Sequence, residues 1–375
     1  MAYLELKDLQ KKYHPKGSAI VNNLNLDIEK GEFIVLLGPS GCGKTTIVRM
    51  IAGLEDVTGG DIVVNGTSIK SLPPKDRGVS MIFQSYAVWP HMTVFENIAY
   101  PLKFRKKEDG KKYDKDEIKQ KVHTAAAITN IDGYLDRYPA QLSGGQRQRV
   151  AVSRSIVVEP DLFLMDEPLS NLDAMLRVST RTELKSIHEK IGSTSIFVTH
   201  DQSEAMSLAD RIVIMRNGVV EQIGTPNEVY NDCETVFVAS FIGSPPANFY
   251  EVTIKEKGGI LFAENAFFNY KLPLPKFSYM KEYAGKNAIM GVRSECYSIN
   301  GEEDEFLFKR KIDFIEPQGS HLILIMRLDD GTGKVNELKI MTPVLTHKSK
   351  DEIRVGILEG KVLFFDSATE KRIRG

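Results

Sequence analysis

Phe33-Ile34-Val35-Leu36-Leu37-Gly38-Pro39-Ser40-Gly41-Cys42-Gly43-Lys44-Thr45-Thr46-Ile47-Val48-Arg49-Met50-Ile51-Ala52-Gly53 reads as a strand, a glycine-rich turn and a helix. The five opening residues are apolar without alternation, as in a strand covered on both faces of a parallel sheet. From Thr46 the apolar residues recur with helical spacing, and Gly53 supplies a stop. The turn between them fits G-x-x-x-x-G-K-[ST] in the context its chemistry needs, after a buried strand and before a helix. Its glycines let successive backbone N–H groups face a polyphosphate, and the helix N-terminus adds a positive dipole end. Lys44 is placed to bridge β- and γ-phosphates, and the Thr45 hydroxyl to ligate Mg²⁺. Gly38, Pro39, Ser40, Gly41, Cys42, Gly43, Lys44, Thr45 and Thr46 are therefore the expected nucleotide cradle.

Outward from this stretch, Leu162-Phe163-Leu164-Met165-Asp166-Glu167 is a second apolar strand, ending in two carboxylates. At the C-terminal edge of a parallel sheet Asp166 would hold Mg²⁺, directly or through water. Glu167, one residue further, is the expected general base, orienting and deprotonating the attacking water. Ser195-Ile196-Phe197-Val198 is a third such strand, and the helical stretch 176–191 alternates with it, the signature of an α/β domain. Residues 1–30 read instead as antiparallel strands around the turn His14-Pro15-Lys16-Gly17. Residues 88–158 turn helical, with Ile118, Val122, Ala125, Ala126 and Thr129 on one face and a lysine-rich exposed insertion at 105–115. Leu142-Ser143-Gly144-Gly145-Gln146 is a serine-glycine turn opening a helix, a second anion-binding helix start.

In these residues the chain resembles the ATP-binding-cassette (ABC) ATPases, whose signature motif matches Ser143, Gly144, Gly145 and Gln146. That resemblance implies further roles. Tyr13 matches the aromatic that stacks on adenine. Gln84, in Phe83-Gln84-Ser85, matches the glutamine that senses Mg²⁺ and the attacking water. Ser170-Asn171-Leu172-Asp173 resembles the loop that communicates across the dimer, and His200 matches the switch histidine that contacts the γ-phosphate and positions the base. In the family two subunits pair head to tail, so each ATP lies between Lys44 and Gln84 of one copy and Ser143 and Gly145 of the other. The expected architecture is a P-loop ABC cassette at 1–235, a mixed sheet with a helical subdomain at about 88–158.

The remaining part, 236–375, reads as mainly β, with short strand-like runs at 251–254, 288–292, 306–314, 321–328 and 361–365. Gly258-Gly259, Glu316-Pro317-Gln318-Gly319 and Asp330-Gly331 punctuate it, favouring one or two small barrels. Phe241-Ile242-Gly243-Ser244-Pro245-Pro246-Ala247-Asn248-Phe249 and Gly291-Val292-Arg293-Ser294-Glu295 resemble the regulatory region of maltose-type importer ATPases, an OB-like domain. Ser294, Cys296 and Gln318 depart from that pattern. Tyr86-Ala87-Val88-Trp89-Pro90-His91 resembles the segment of such ATPases that docks a membrane subunit; Val88 and Trp89, where exposed, would suit interface anchors, with ordinary core packing as the alternative.

Composition sets the outer limits. The 375 residues exceed one ordinary domain of about 150, and 42% hydrophobic with 26% charged residues describes a globular chain. Lys plus Arg total 49 against 50 Asp plus Glu, so no basic field recommends nucleic acid. Three scattered cysteines point to a reducing compartment. The N-terminal residues carry no secretory pattern, and no apolar run reaches membrane-spanning length. The resemblance implies an ATPase subunit on the cytoplasmic face of a membrane, two copies beneath two permease subunits, with a solute-binding protein acting indirectly. Carbohydrate or glycerol phosphate is the expected cargo. Importers of polyamine or ferric iron, and a non-transport ABC ATPase acting on nucleic acid or ribosomes, are the alternatives.

Overall fold

The structure, a computed structural model, describes residues 2–107, 109–274, 276–300, 306–329, 335–343 and 348–375. The chain forms two compact units, Met1–Asn227 and Glu228–Gly375.

In the first unit a six-stranded sheet runs Val219–Gly224, Arg211–Arg216, Phe33–Leu37, Thr194–Thr199, Leu162–Asp166, Val79–Ile82. All neighbours are parallel except the outer Val219–Gly224, which is antiparallel to Arg211–Arg216. The three central strands are buried along their whole length, which is why they lack alternation. Each large side chain so buried contributes about 1.5–3 kcal/mol. A second, four-stranded antiparallel sheet packs Leu4–Lys11 between Val21–Ile28 and Gly59–Val64, with Thr67–Ser68 outside. Its apolar face, Leu4, Leu6, Leu24, Leu26 and Ile28, shares one core with the helix Lys44–Ala52 and with Ile34, Leu164 and Ile196 of the large sheet. That helix ends, as its sequence predicts, on Gly53 in the left-handed conformation.

Register decides where the chemistry gathers. Leu37 pairs with Thr199, Asp166 with Val198, and Met165 with Ile82. The residues that follow, Gly38, His200, Glu167 and Phe83-Gln84, therefore leave the sheet at the same C-terminal edge. The helical block contains Val94–Ala99, Lys115–Ile128 and Gly144–Ile156. Val122, Ala125, Ala126 and Thr129 form the buried face of Lys115–Ile128, with Ile118 half-buried at its margin.

The second unit is strand-rich, as expected of an OB-like domain. A five-stranded antiparallel sheet and two three-stranded ones enclose a core that includes Tyr250, Ile254, Met290, Leu324, Ile340, Val355 and Phe364. Gly258-Gly259 turns Asn248–Lys257 back into Ile260–Glu264. The expected run at 306–314 is two strands, Phe306–Lys311 and Phe314–Pro317, in different sheets. The turn expected at Asp330-Gly331 lies outside the described residues. Residues 228–235 cluster with this unit because Arg293, buried under the helix Val236–Phe241, donates to Tyr230 O at 2.7 Å and to Cys233 Sγ at 3.1 Å.

Candidate active site

The glycine turn holds its shape because larger residues do not fit. A Cβ on Gly38 would lie 2.3 Å from the Met215 carbonyl, and one on Gly43 would lie 2.7 Å from that of Ile20. Gly41 and Gly43 also have φ of +81° and +104°, left-handed values that suit glycine. Gly43 begins the helix with no side-chain cap, so the first-turn N–H groups are left for an anion. Lys44 is buried, its ammonium donating to the Gly38 carbonyl at 2.7 Å and the Pro39 carbonyl at 2.9 Å. Cys42 is buried under the turn, Ser40 and Gly41 are exposed at its tip, and Thr46 is half-buried. This is a cradle of backbone donors around one fixed cation, which fits a polyphosphate.

Thr45 donates its hydroxyl to Asp166 Oδ1 at 2.7 Å, and Arg49 approaches Asp166 Oδ2 at 3.7 Å. Burial pushes the Asp166 carboxyl up, opposed by the Thr45 hydrogen bond and the Arg49 charge. A hydroxyl and a carboxylate side by side are hard oxygen donors of the kind Mg²⁺ takes beside substrate phosphates. Among the described residues no group of three or more His, Cys, Asp or Glu gathers to cage a metal alone.

Glu167 extends the carboxylate strand, its N–H donating to Val198 O at 3.2 Å. Its φ of +47° is left-handed, a conformation that costs a non-glycine residue on the order of 1 kcal/mol. His200 Nδ1 lies 3.5 Å from Glu167 Oε1. The two side chains predicted as base and switch thus meet at the ends of adjacent parallel strands.

Gln84 is exposed, and its carbonyl accepts from Asn171 Nδ2 at 2.7 Å. Two residues on, the chain turns through left-handed Tyr86 and Ala87, whose carbonyls both accept from Arg154, at 2.8 and 2.7 Å. Burial lowers the Arg154 guanidinium pKa to about 10. Trp89 and Val88, for which the sequence leaves interface anchor and core packing open, are half-buried. The Trp89 ring lies 4.6 Å from the Arg154 guanidinium and 4.4 Å from Tyr100, and beyond Tyr100 the exposed aromatic is Phe104. Trp89 sits there because its hydrophobic area and its cation–π partner both lie inward.

The signature turn is a well-formed helix start. Ser143 caps Gly144–Ile156 by accepting from Gln146 N, and Gln146 Oε1 accepts from Ser143 N at 2.9 Å. Gly145 is buried where a Cβ would meet Leu176 Cδ2 at 2.9 Å, and Gly144 sits over Leu172. Asp173 caps the helix Ala174–Ile191. Tyr13 is exposed, with Lys11 Nζ 5.0 Å from its ring centre. Within one chain, then, Lys44, Thr45, Asp166, Glu167 and His200 converge, whereas Ser143–Gln146 and Asp173 make their contacts around Leu172 and Leu176.

Some residues at this edge make contacts that no motif role assigns. Tyr86 Oη and Gln148 Nε2 both donate to the Pro168 carbonyl at 3.2 Å, one residue past Glu167. Thr199 and Asp201 bracket His200, the Asp201 N–H donating to Thr199 Oγ1 at 2.9 Å. Their signal was the polar triplet closing a buried strand. Arg177, four residues after Asp173, has no signal beyond its position in the first helical turns.

Comparison with known proteins places these features among relatives. The pattern of the family described as "ABC transporter" matches residues 21–170. The chain is 43% identical, over the full length of both, to the oligosaccharides import ATP-binding protein MsmX of Bacillus subtilis. It is 42% identical to the sn-glycerol-3-phosphate import ATP-binding protein UgpC 1 of Rhizobium johnstonii, over 95% of this chain and 92% of that one. The dimeric post-hydrolysis structure of the ATP-binding cassette MJ0796, bound to ADP and Pi, superposes with a TM-score of 0.53 at 29% identity, covering 60% of this chain and 98% of that one.

Proposed function

This chain belongs to the ABC transporter ATP-binding family, and from that premise we propose that it is the ATPase subunit of an importer for carbohydrate or glycerol phosphate. The observation that carries the reading is the shared sheet edge at which Lys44, Thr45, Asp166, Glu167 and His200 come together.

The turn 38–43 and the first helical N–H groups bind the phosphates of ATP, and Lys44 neutralises charge at the β- and γ-positions. Thr45 and Asp166, with Gln84, are the residues that would hold Mg²⁺, which when bound supplies charge neutralisation on the phosphate oxygens. Glu167 accepts a proton from water as the water oxygen bonds to the γ-phosphorus and the bond to ADP breaks. His200 orients that carboxylate. Tyr13 is placed to stack on the adenine.

A second copy completes the site. Ser143, Gly144, Gly145 and Gln146 open a helix whose N-terminus, presented by the opposite protomer, stabilises developing negative charge, and Asp173 lies on the facing loop. Two permease subunits dock beside residues 86–91, where Arg154 braces the backbone, and a solute-binding protein delivers cargo to them. Among the described residues no helix is long and apolar enough to cross a membrane, which suits a subunit seated on the cytoplasmic face beneath its permeases. The test is reconstitution with a permease pair and solute-binding protein in vesicles. Uptake of labelled oligosaccharide or glycerol phosphate that requires MgATP supports the reading, and uptake without ATP, or none from a complex shown to be fully assembled, overturns it.

A further inference from the structure

The proposed mechanism leaves a charged cluster behind the base unused. Arg177 reaches back from the helix Ala174–Ile191, and its Nη2 donates to the Leu172 carbonyl at 3.1 Å, one residue before Asp173. Its Nη1 lies 3.7 Å from Asp201 Oδ2 and its Nε 3.9 Å from Glu204 Oε1. The Nε atom is buried without a hydrogen-bond partner, so its remaining interaction is with these carboxylates. Glu204 is itself buried, and it accepts the Thr199 hydroxyl at 2.5 Å. Thr199 in turn accepts from Asp201 N, so both neighbours of His200 are fixed to the cluster. A cavity of about 40 Å³ is lined by Arg177 and Glu204 together with Glu167 and His200.

These contacts form one chain of charge and hydrogen bonds from the Leu172 carbonyl through Arg177 to Glu204, Asp201 and Thr199, and the last two flank His200 along the backbone. We propose that Arg177 is a positioning residue for hydrolysis, transmitting the placement of the Asp173 loop to His200 and so to Glu167. A rigid guanidinium fork suits this task because it holds three partners in fixed relative directions, which a lysine cannot do. The buried Glu204 carboxylate needs counter-charge, which Arg177 supplies at 3.9 Å with Arg181 adding to it. When the loop carrying Asp173 shifts against a second protomer, Arg177 moves with the Leu172 carbonyl, and the segment 199–201 follows. The inference rests on the assignment of Glu167 and His200 as base and switch.

Arg177→Gln, Arg177→Lys, Glu204→Gln and the double variant R177Q/E204Q test it, through kcat and KM for MgATP together with thermal melting. A catalytic group displaced by about 1 Å costs on the order of 100-fold, so R177Q should lower kcat about 10- to 100-fold with KM nearly unchanged. R177K should recover part of that loss, and the double variant should be no slower than R177Q, since both remove one link. Folded R177Q with wild-type kcat, a KM effect alone, or additive losses in the double variant each overturn the proposal. If R177Q does not fold, E204Q carries the test by the same kcat criterion, because glutamine keeps the shape and can still accept from Thr199. Glu167→Gln and His200→Ala serve as controls: should either retain turnover, the base assignment fails, whereas their inactivity beside an active R177Q refutes the coupling alone.

Discussion

Thr45 Oγ1 lies 2.7 Å from Asp166 Oδ1, joining the first turn of the phosphate-loop helix to the end of the carboxylate strand across 121 residues of sequence. The bond holds a buried carboxylate whose ionised form the fold disfavours. A carboxylate with a raised folded pKa binds its proton more tightly folded than unfolded. Its contribution to stability is therefore fully present below the unfolded value near 4 and is lost as pH rises through the folded value. Asp166→Asn, which keeps an acceptor for Thr45 without the charge, should raise Tm at pH 8 and raise it less at pH 4, in chelator without nucleotide. Hydrolysis should be lost. Melting curves at the two pH values decide it; a destabilised variant at pH 8 contradicts the assignment of burial as the dominant cause.

Glu167 and His200 make a separable prediction. Removing a general base costs about 10²–10⁴-fold in rate, so Glu167→Gln should abolish measurable turnover while leaving the phosphate cradle intact. MgATP should then hold the variant as a dimer in size-exclusion chromatography, where wild-type protein returns to monomer as ATP is consumed. A variant that binds MgATP and stays monomeric would contradict the two-copy site.

Gly43→Ala addresses the cradle. The added Cβ would meet the Ile20 carbonyl at 2.7 Å in a backbone at φ +104°, so strain of about 1–3 kcal/mol is expected. Chemical denaturation should show that loss, and fluorescent ATP binding should fall with it. Gly41→Ala separates the two effects: its Cβ would meet nothing within 4 Å, leaving only the left-handed φ as a cost, so its loss should be smaller.

Arg154→Met removes two hydrogen bonds to the carbonyls of Tyr86 and Ala87 and the charge over Trp89. Stability should drop by about 1–3 kcal/mol. ATP hydrolysis by the isolated subunit should stay within about twofold, since the guanidinium touches none of the nucleotide residues. Co-purification of permease subunits from detergent extract should fall sharply. Unchanged recovery would place the docking surface elsewhere, with the exposed Phe104 the next residue to replace.

The parts of this site legible in advance were the local ones. A glycine turn between a buried strand and a helix, two carboxylates closing a strand, and a serine-glycine helix start each express their chemistry within about ten consecutive residues. What was not legible shares a cause. For Trp89 the sequence left exposure and core packing open, and Arg154 and Tyr100, outside its own motif, decide for a half-buried place. Arg177 was invisible because two of its partners, Asp201 and Glu204, belong to a helix start more than twenty residues away that folding brings beside it.

By itself the sequence determined the kind of chemistry to look for: a turn suited to phosphate, two adjacent carboxylates proposed as metal ligand and base, and a second helix start suited to an anion, because backbone freedom and ionisable groups are properties of residues and their immediate spacing. Only the tertiary structure decided which of these work together in one chain. Parallel register brings Leu37, Thr199, Asp166 and Ile82 to one edge, so Lys44, His200, Glu167 and Gln84 emerge there together, while the signature turn packs against Leu172 and Leu176. The reason is physical: a hydrogen-bonded sheet converts strand pairing, which no local pattern encodes, into the distances on which catalysis depends.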